Sequence, residues 1–281
     1  MLRTKLEAEE IAKARHGSLD AQSLRILTAH YQRVQDWACT NCANIGTIAK
    51  FDGNIRTADC MCKVIRKKKL LADKLRSASN MPHRYHDADI RKWVNVGRND
   101  RELSLNNASY HAVEQYANNL SKMMKKGYGL YLTGPNGVGK TYLACGVANK
   151  AINSGYSVRY YTMSVIVQTE IKGWRDQEAA SLMAGIKKSQ LLIIDDIDKV
   201  YRTTTGIETA LFDNLLRERL QSNRPCIFTS NRTINDANND YSQHIASMLV
   251  EHCAELVFVG QDHRRNMSDA IRREILDGGD A

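Results

Sequence analysis

The stretch Gly127–Thr141, GYGLYLTGPNGVGKT, decides the fold. Its second half, Gly134-Pro135-Asn136-Gly137-Val138-Gly139-Lys140-Thr141, has the spacing G-x-x-x-x-G-K-[ST] of a P-loop. The apolar run Leu130–Leu132 before it predicts a strand. Tyr142 to Ala151 after it, with Gly146 the one breaker, predicts a helix. That setting separates a phosphate loop from a glycine-rich turn that happens to carry Lys-Thr. Glycines let backbone N–H groups turn inward around phosphate oxygens, and a helix N-terminus adds the positive end of its dipole. Lys140 is expected to reach the β- and γ-phosphates and Thr141 to ligate Mg²⁺, so the chain is expected to bind a nucleoside triphosphate.

Downstream, Ser157–Thr162 reads as a strand, and Met163–Trp174 and Glu178–Lys188 read as helices. Leu191-Leu192-Ile193-Ile194-Asp195-Asp196 is a short apolar strand closed by two acids, the Walker B pattern. Such a strand is expected beside the P-loop strand of a parallel sheet, where Asp195 reaches the Mg²⁺ held by Thr141. Asp196 is placed to polarise an attacking water as general base. Asp198 reads as a surface loop acid. A helix over Gly206–Gln221 leads to a strand starting at Pro225 and ending Thr229-Ser230-Asn231. There Asn231 either bonds the γ-phosphate or attacking water, or simply ends the strand. A helix from about Thr233 to Met248, a strand around Leu256–Val259 and a Ser268-capped helix ending near Gly278 complete this half.

Upstream, Tyr116, Leu120 and Met124 form a helical stripe. Residues 1–38 read as an amphipathic helical segment, with Leu24, Leu27, Tyr31 and Val34 on one face. Four of the seven cysteines cluster as Cys39-x-x-Cys42 and Cys60-x-Cys62, with the turn signal Asp52-Gly53-Asn54 between them. Two thiolate pairs across a hairpin suit a structural Zn²⁺, although one residue, not two, separates the second pair. Cys145, Cys226 and Cys253 sit singly in apolar segments and read as buried hydrophobes. Lys63 to Arg76 is a basic amphipathic helix, fit either for a nucleic-acid contact or as a solvated linker. The boundary falls at 77–82, giving a module over 1–76 and a larger domain over 77–281.

The 281 residues carry a net charge of +9, which suits a polyanionic partner, nucleic acid first. No apolar run approaches the roughly 18 residues that span a bilayer. The N-terminus MLRTKLEAEE has no signal-peptide core, so a cytoplasmic protein is expected.

Together the P-loop, the strand ending Asp195-Asp196 and the strand ending Asn231 resemble the AAA+ ATPases. Within them the chain is similar to the DnaC/DnaI-type replicative helicase loaders and the IstB-like transposition helpers. The resemblance covers most of residues 80–265 and includes Met81-Pro82-His83-Arg84-Tyr85 and Gly260 to Arg265. It implies a P-loop AAA+ parallel sheet flanked by helices, a small N-terminal zinc-binding helical domain and little or no C-terminal lid. It also implies ATP with Mg²⁺ on Gly134–Thr141 and Asp195, a catalytic acid at Asp196 and a γ-phosphate sensor at Asn231. Arg264 or Arg265 would contact nucleotide. The implied partners are a hexameric DnaB-type helicase, single-stranded DNA and further copies of the chain. The cysteine module favours the loaders over the transposition helpers, and a non-hydrolysing helicase-binding adaptor is a third reading. Ala246 to Glu251 resembles the stretch where the family carries a trans-acting arginine, and here Met248 holds that place. Either Arg232 or another residue replaces that arginine, or hydrolysis is slow and nucleotide acts mainly as a binding switch. Slow hydrolysis is the expectation.

Overall fold

The computed structural model describes residues 47–51, 55–199, 206–237, 242–264, 272 and 275. The chain divides into two units, Met1–Leu71 and Ala72–Ala281. In the first, β1 (Thr47–Phe51) and β2 (Ile55–Asp59) pair antiparallel, with Thr47 opposite Asp59 and Phe51 opposite Ile55. The expected hairpin is present, while its turn, 52–54, lies outside the described residues. So do Cys39, Cys42 and the helix expected over 1–38. Among the described residues no group of three or more His, Cys, Asp or Glu could hold a metal. Of the four cysteines read as zinc ligands, only Cys60, which is buried, and the half-buried Cys62 are described. The basic stretch that follows is the helix its charge pattern predicts, α1 (Met61–Ala78).

In the second unit, single 3-10 turns at His83–Tyr85 and Ile90–Lys92 precede α2 (Asp100–Asn118). The side chain of Asn99 caps α2 by accepting the N–H of Glu102. α3 (Leu120–Lys126) ends on Gly127 in the left-handed region, φ 71°, which glycine adopts without a Cβ penalty. Then come β3 (Gly129–Thr133), α4 (Lys140–Asn153), β4 (Val158–Thr162), α5 (Met163–Gly173) and α6 (Gln177–Lys188). They are followed by β5 (Leu191–Asp195), α7 (Ile207–Gln221), β6 (Cys226–Ser230), α8 (Ile234–Ala237), α9 (Gln243–His252) and β7 (Cys253–Val257).

The five strands form one parallel sheet in the order β4-β5-β6-β3-β7. β3, β5 and β6 are buried along their whole length, as central strands covered by helices on both faces must be. Alternate residues feed two cores. Leu130, Leu132, Ile193 and Ile227 pack on one face with Leu143 and Val147 of α4 and Val113 of α2. Tyr131, Leu192, Ile194 and Phe228 pack on the other with Ile166, Ile186, Phe212 and Leu249. Full burial of one such aliphatic side chain is worth about 1.5–3 kcal/mol, so these two layers dominate the favourable term. The β4 edge is closed by the chain leaving α1. Tyr160 N–H donates to Ser79 O (2.8 Å), and Asn80 Nδ2 donates to Tyr160 O (3.2 Å).

Three expectations need correction. The acidic strand β5 does not lie beside β3, because β6 is inserted between them. The apolar runs of β3, β5 and β6 are alike in length and composition, so pattern alone could not order them. The helix expected from Thr233 to Met248 is two helices, and the second starts where Ser242 accepts the N–H of Ile245. The last strand is Cys253–Val257 rather than 256–259. Its ladder with β3 runs from Cys253, opposite Gly129, to Val257, opposite Thr133, while Val259 N–H bonds the Asn106 side chain. Tertiary pairing, not local hydrophobicity, sets these bounds.

Candidate nucleotide site

The carboxyl ends of β3, β5 and β6 meet at one rim, where open parallel sheets take their ligands. The loop after β3 is tied to β6 by Gly134 N–H donating to Ser230 O (3.3 Å). Gly137 and Gly139 hold φ values of 79° and 91°. At Gly139, the N-cap of α4, a Cβ would stand 2.4 Å from Trp93 Nε1, so only glycine fits. Trp93 in turn donates from Nε1 to Val138 O (3.0 Å) and stacks on Tyr110 at 5.5 Å between ring centroids. On the opposite side His263 N–H donates to Gly137 O (3.2 Å), and Gln261 N–H donates to Val96 O (3.0 Å). The loop is thus braced by two segments, 93–96 and 261–263, far apart in sequence.

Lys140 opens α4 and is only 6% exposed. Its Nζ donates to Gly134 O (2.6 Å), Pro135 O (2.8 Å) and Asn231 Oδ1 (3.0 Å). Burial lowers its pKa from 10.5 to about 8, against the opposing pull of the nearby Asp196 and Asp198. Thr141 Oγ1 donates to Asp195 Oδ1 (2.9 Å), so the helix and strand expected to share a metal do meet. Asp195, 6% exposed, also accepts from Thr229 Oγ1 on Oδ1 (2.5 Å) and from the Tyr160 hydroxyl on Oδ2 (2.5 Å). Burial, then the charge of Asp195, pushes the Tyr160 phenol far above its usual range, so it remains a donor.

Asp196 has φ 54°, uncommon outside glycine, and its N–H donates to Thr229 Oγ1 (2.9 Å). Its carboxylate pairs with Lys199 at 3.0 Å. Asp198 is not the surface acid its loop position implies, because its Oδ1 accepts the N–H of Asn231 (3.1 Å). Asn231 is therefore fixed at both its backbone and its side chain. A cavity of about 330 Å³ opens along the loop, bordered by Asn136 to Tyr142, Asp195, Asp196 and Arg264. Arg84, Tyr85 and Trp93 line it as well. Arg265 lies outside the described residues. Met248 packs in the second core and is 9% exposed.

Sequence reasoning missed Trp93, Tyr160, Thr229 and His263. Only Thr229 carried a usable signal, as a polar residue near the end of an apolar strand. The donor set fits the expected ligands. Thr141 and Asp195 offer hard oxygens suited to Mg²⁺, and the cationic, aromatic-walled cavity suits a nucleoside phosphate.

Sheet order, loop and acidic strand are those of a P-loop nucleotide-binding protein. The match to the family described as IstB-like ATP binding protein covers residues 105–269, more than half of the chain, and the chain belongs to that family. An insertion sequence IS21 putative ATP-binding protein of Pseudomonas aeruginosa is 28% identical over 138 residues, 47% of this chain and 51% of that protein. The replicative helicase loader DnaI of Bacillus subtilis is 26% identical over 196 residues, 68% of this chain and 61% of that one. The chain thus spans about half to three-fifths of these relatives' length. A crystal structure of DnaI superposes with a TM-score of 0.53 at 22% identity, covering 64% of this chain and 95% of that one, a likeness of fold. Among the described residues no helix is long and apolar enough to cross a membrane.

Proposed function

We propose that this chain is an ATP-dependent loader of a hexameric replicative helicase onto single-stranded DNA, binding ATP with Mg²⁺ and hydrolysing it slowly. The observation that carries the nucleotide half is the convergence of Lys140, Thr141, Asp195 and Asn231 on one rim. Bound Mg²⁺ would neutralise phosphate charge, with Thr141 and Asp195 as its protein ligands. Lys140 would hold the outer phosphates and Asn231 would orient its ammonium. Asp196 would orient the attacking water. Arg264, with Arg265, would approach from the C-terminal segment. Slow turnover follows from the buried Met248 at the place of a trans-acting arginine.

The loader assignment is supported by the likeness to DnaI over 68% of the chain and by the cysteine-bearing segment ahead of the ATPase unit. In this reading Cys39, Cys42, Cys60 and Cys62 hold a structural Zn²⁺ in the helicase-binding part, and the chain self-associates on ATP or helicase. The IS21 relative favours a second reading, a transposition helper that assembles on duplex DNA. Co-purification of the full chain with the host's hexameric helicase, with and without ATP, separates the two. Helicase capture supports the loader. Assembly on duplex DNA with no helicase capture hands the function to the transposition reading. Metal analysis of the purified chain should return one zinc, lost on Cys39→Ser.

A further inference from the structure

Asp195 is held at both carboxylate oxygens, by different elements. Oδ1 is shared by two hydroxyls, Thr141 from α4 and Thr229 from β6. Among the described residues the hydrogen bond to Oδ2 comes from Tyr160 of β4. β4 and β5 run parallel with Tyr160 opposite Ile193 and Thr162 opposite Asp195. Tyr160 therefore reaches two positions along the neighbouring strand, a diagonal that only a long side chain spans. β4 is an edge strand, yet Tyr160 is the residue where that edge is sealed. Ser79 and Asn80 take its backbone N–H and C=O. The ring is buried at 7% exposure. One residue is thus pinned by its main chain and by its hydroxyl, and the hydroxyl fixes the rotation of the Asp195 carboxylate about its Cβ–Cγ bond.

We propose that Tyr160 is the positioning residue of this site: its hydroxyl presents the Asp195 carboxylate to Mg²⁺, so that nucleotide binds better with the metal than without it. The inference rests on the nucleotide reading above and adds the residue that tunes the metal's share. A carboxylate held at one oxygen only can swing, and partners of metal ligands commonly carry about 10–100-fold of metal affinity. Tyr160 is not among the residues that border the cavity, so its effect is confined to the metal-dependent part of binding.

The test is Tyr160→Phe in the full chain, which keeps the ring and removes one oxygen. Binding of a fluorescent ATP analogue is titrated in excess Mg²⁺ and again in EDTA, with thermal unfolding of each protein alongside. The expected result is that the Mg²⁺ enhancement of affinity falls about tenfold while the affinity in EDTA is unchanged. Equal enhancement in variant and wild type overturns the inference and leaves the nucleotide reading intact. A parallel fall of both affinities overturns it too, and makes Tyr160 a packing residue. If the wild type binds the analogue in neither buffer, the nucleotide reading itself falls and this inference with it.

Discussion

The molecule buries two unlike charges at opposite ends of its sheet and treats them differently. Asp195, at the carboxyl end of β5, is held by three side-chain hydroxyls, of which that of Thr141 borders the cavity. Arg219, in α7, has no exposed surface, and its partners are mainly main-chain carbonyls. Its Nη1 donates to Ile186 O (3.2 Å), Lys187 O (3.0 Å) and Ser189 O (3.0 Å), its Nη2 to Pro225 O (3.0 Å), and its Nε to Cys226 Sγ (3.1 Å). None of these partners is a carboxylate. Three belong to the C-terminal end of α6, where unpaired carbonyls carry the negative end of the helix dipole. Carbonyls set by the fold cannot turn away, so Arg219 is a rivet. The Thr141 hydroxyl, at the cavity, can turn to another partner, so in the proposed reading Asp195 keeps one side open to a ligand.

The sharpest way to break this contrast is to remove the rivet. Arg219→Leu should leave several buried carbonyls without a donor and destabilise the unit by about 3–5 kcal/mol in denaturant titration. Arg219→Lys should recover only part of that, since one ammonium cannot serve carbonyls lying in three directions. Asp195→Asn should cost far less stability and lose the Mg²⁺ dependence of nucleotide binding. Were Arg219→Leu to unfold at the wild-type denaturant concentration, the distinction between the two charges would collapse.

Lys140 sharpens the comparison from the functional side. Lys140→Ala should lower nucleotide affinity by about 10–100-fold, because a charge-assisted hydrogen bond is worth about 1.5–3 kcal/mol. With its pKa at about 8, the ligand-free lysine loses its proton as pH rises through that value. Bound phosphate favours the ammonium, so binding must then recapture the proton. Affinity should be flat below pH 7 and fall by up to about tenfold per unit above pH 8. Stability of the ligand-free protein should move the opposite way. Between pH about 8 and 10.5 the unfolded chain binds more protons than the folded one, so the lysine's contribution to stability rises with pH. Lys140→Arg should abolish the titration, and an unchanged slope in that variant would assign it to another group.

These contrasts also mark what could be read from the chain alone. The meeting of the P-loop, the acidic strand and Asn231 at one rim was legible because each is a local pattern at the end of an apolar strand. Tyr160 and Arg219 were not. A tyrosine in an apolar strand and an arginine in an amphipathic helix fit many environments, and only the sheet order and the β4–β5 register decide theirs. Trp93 and His263 brace a loop more than 40 and 120 residues away, a pairing that no periodicity encodes. Strand order failed for the same reason, since β3, β5 and β6 are equally apolar.

The smallest expected effect concerns Asp196, whose left-handed backbone and pairing with Lys199 set it apart from its neighbour Asp195. The Lys199 side chain is 49% exposed and that of Asp196 33%, so the pair contributes at most about 1 kcal/mol to stability. In the role proposed for Asp196 the pair bears on orientation instead. Lys199 draws the carboxylate toward the short 3-10 turn Ile197–Lys199 and competes with any water for it. Lys199→Ala should leave the melting temperature within a few degrees of wild type and raise ATP turnover severalfold. A fall in turnover would give Lys199 a different part, as a cation that the transition state needs. In that case the slow hydrolysis expected from Met248 would be offset in cis by a lysine, and Asp196 would owe its geometry to the same residue that helps it.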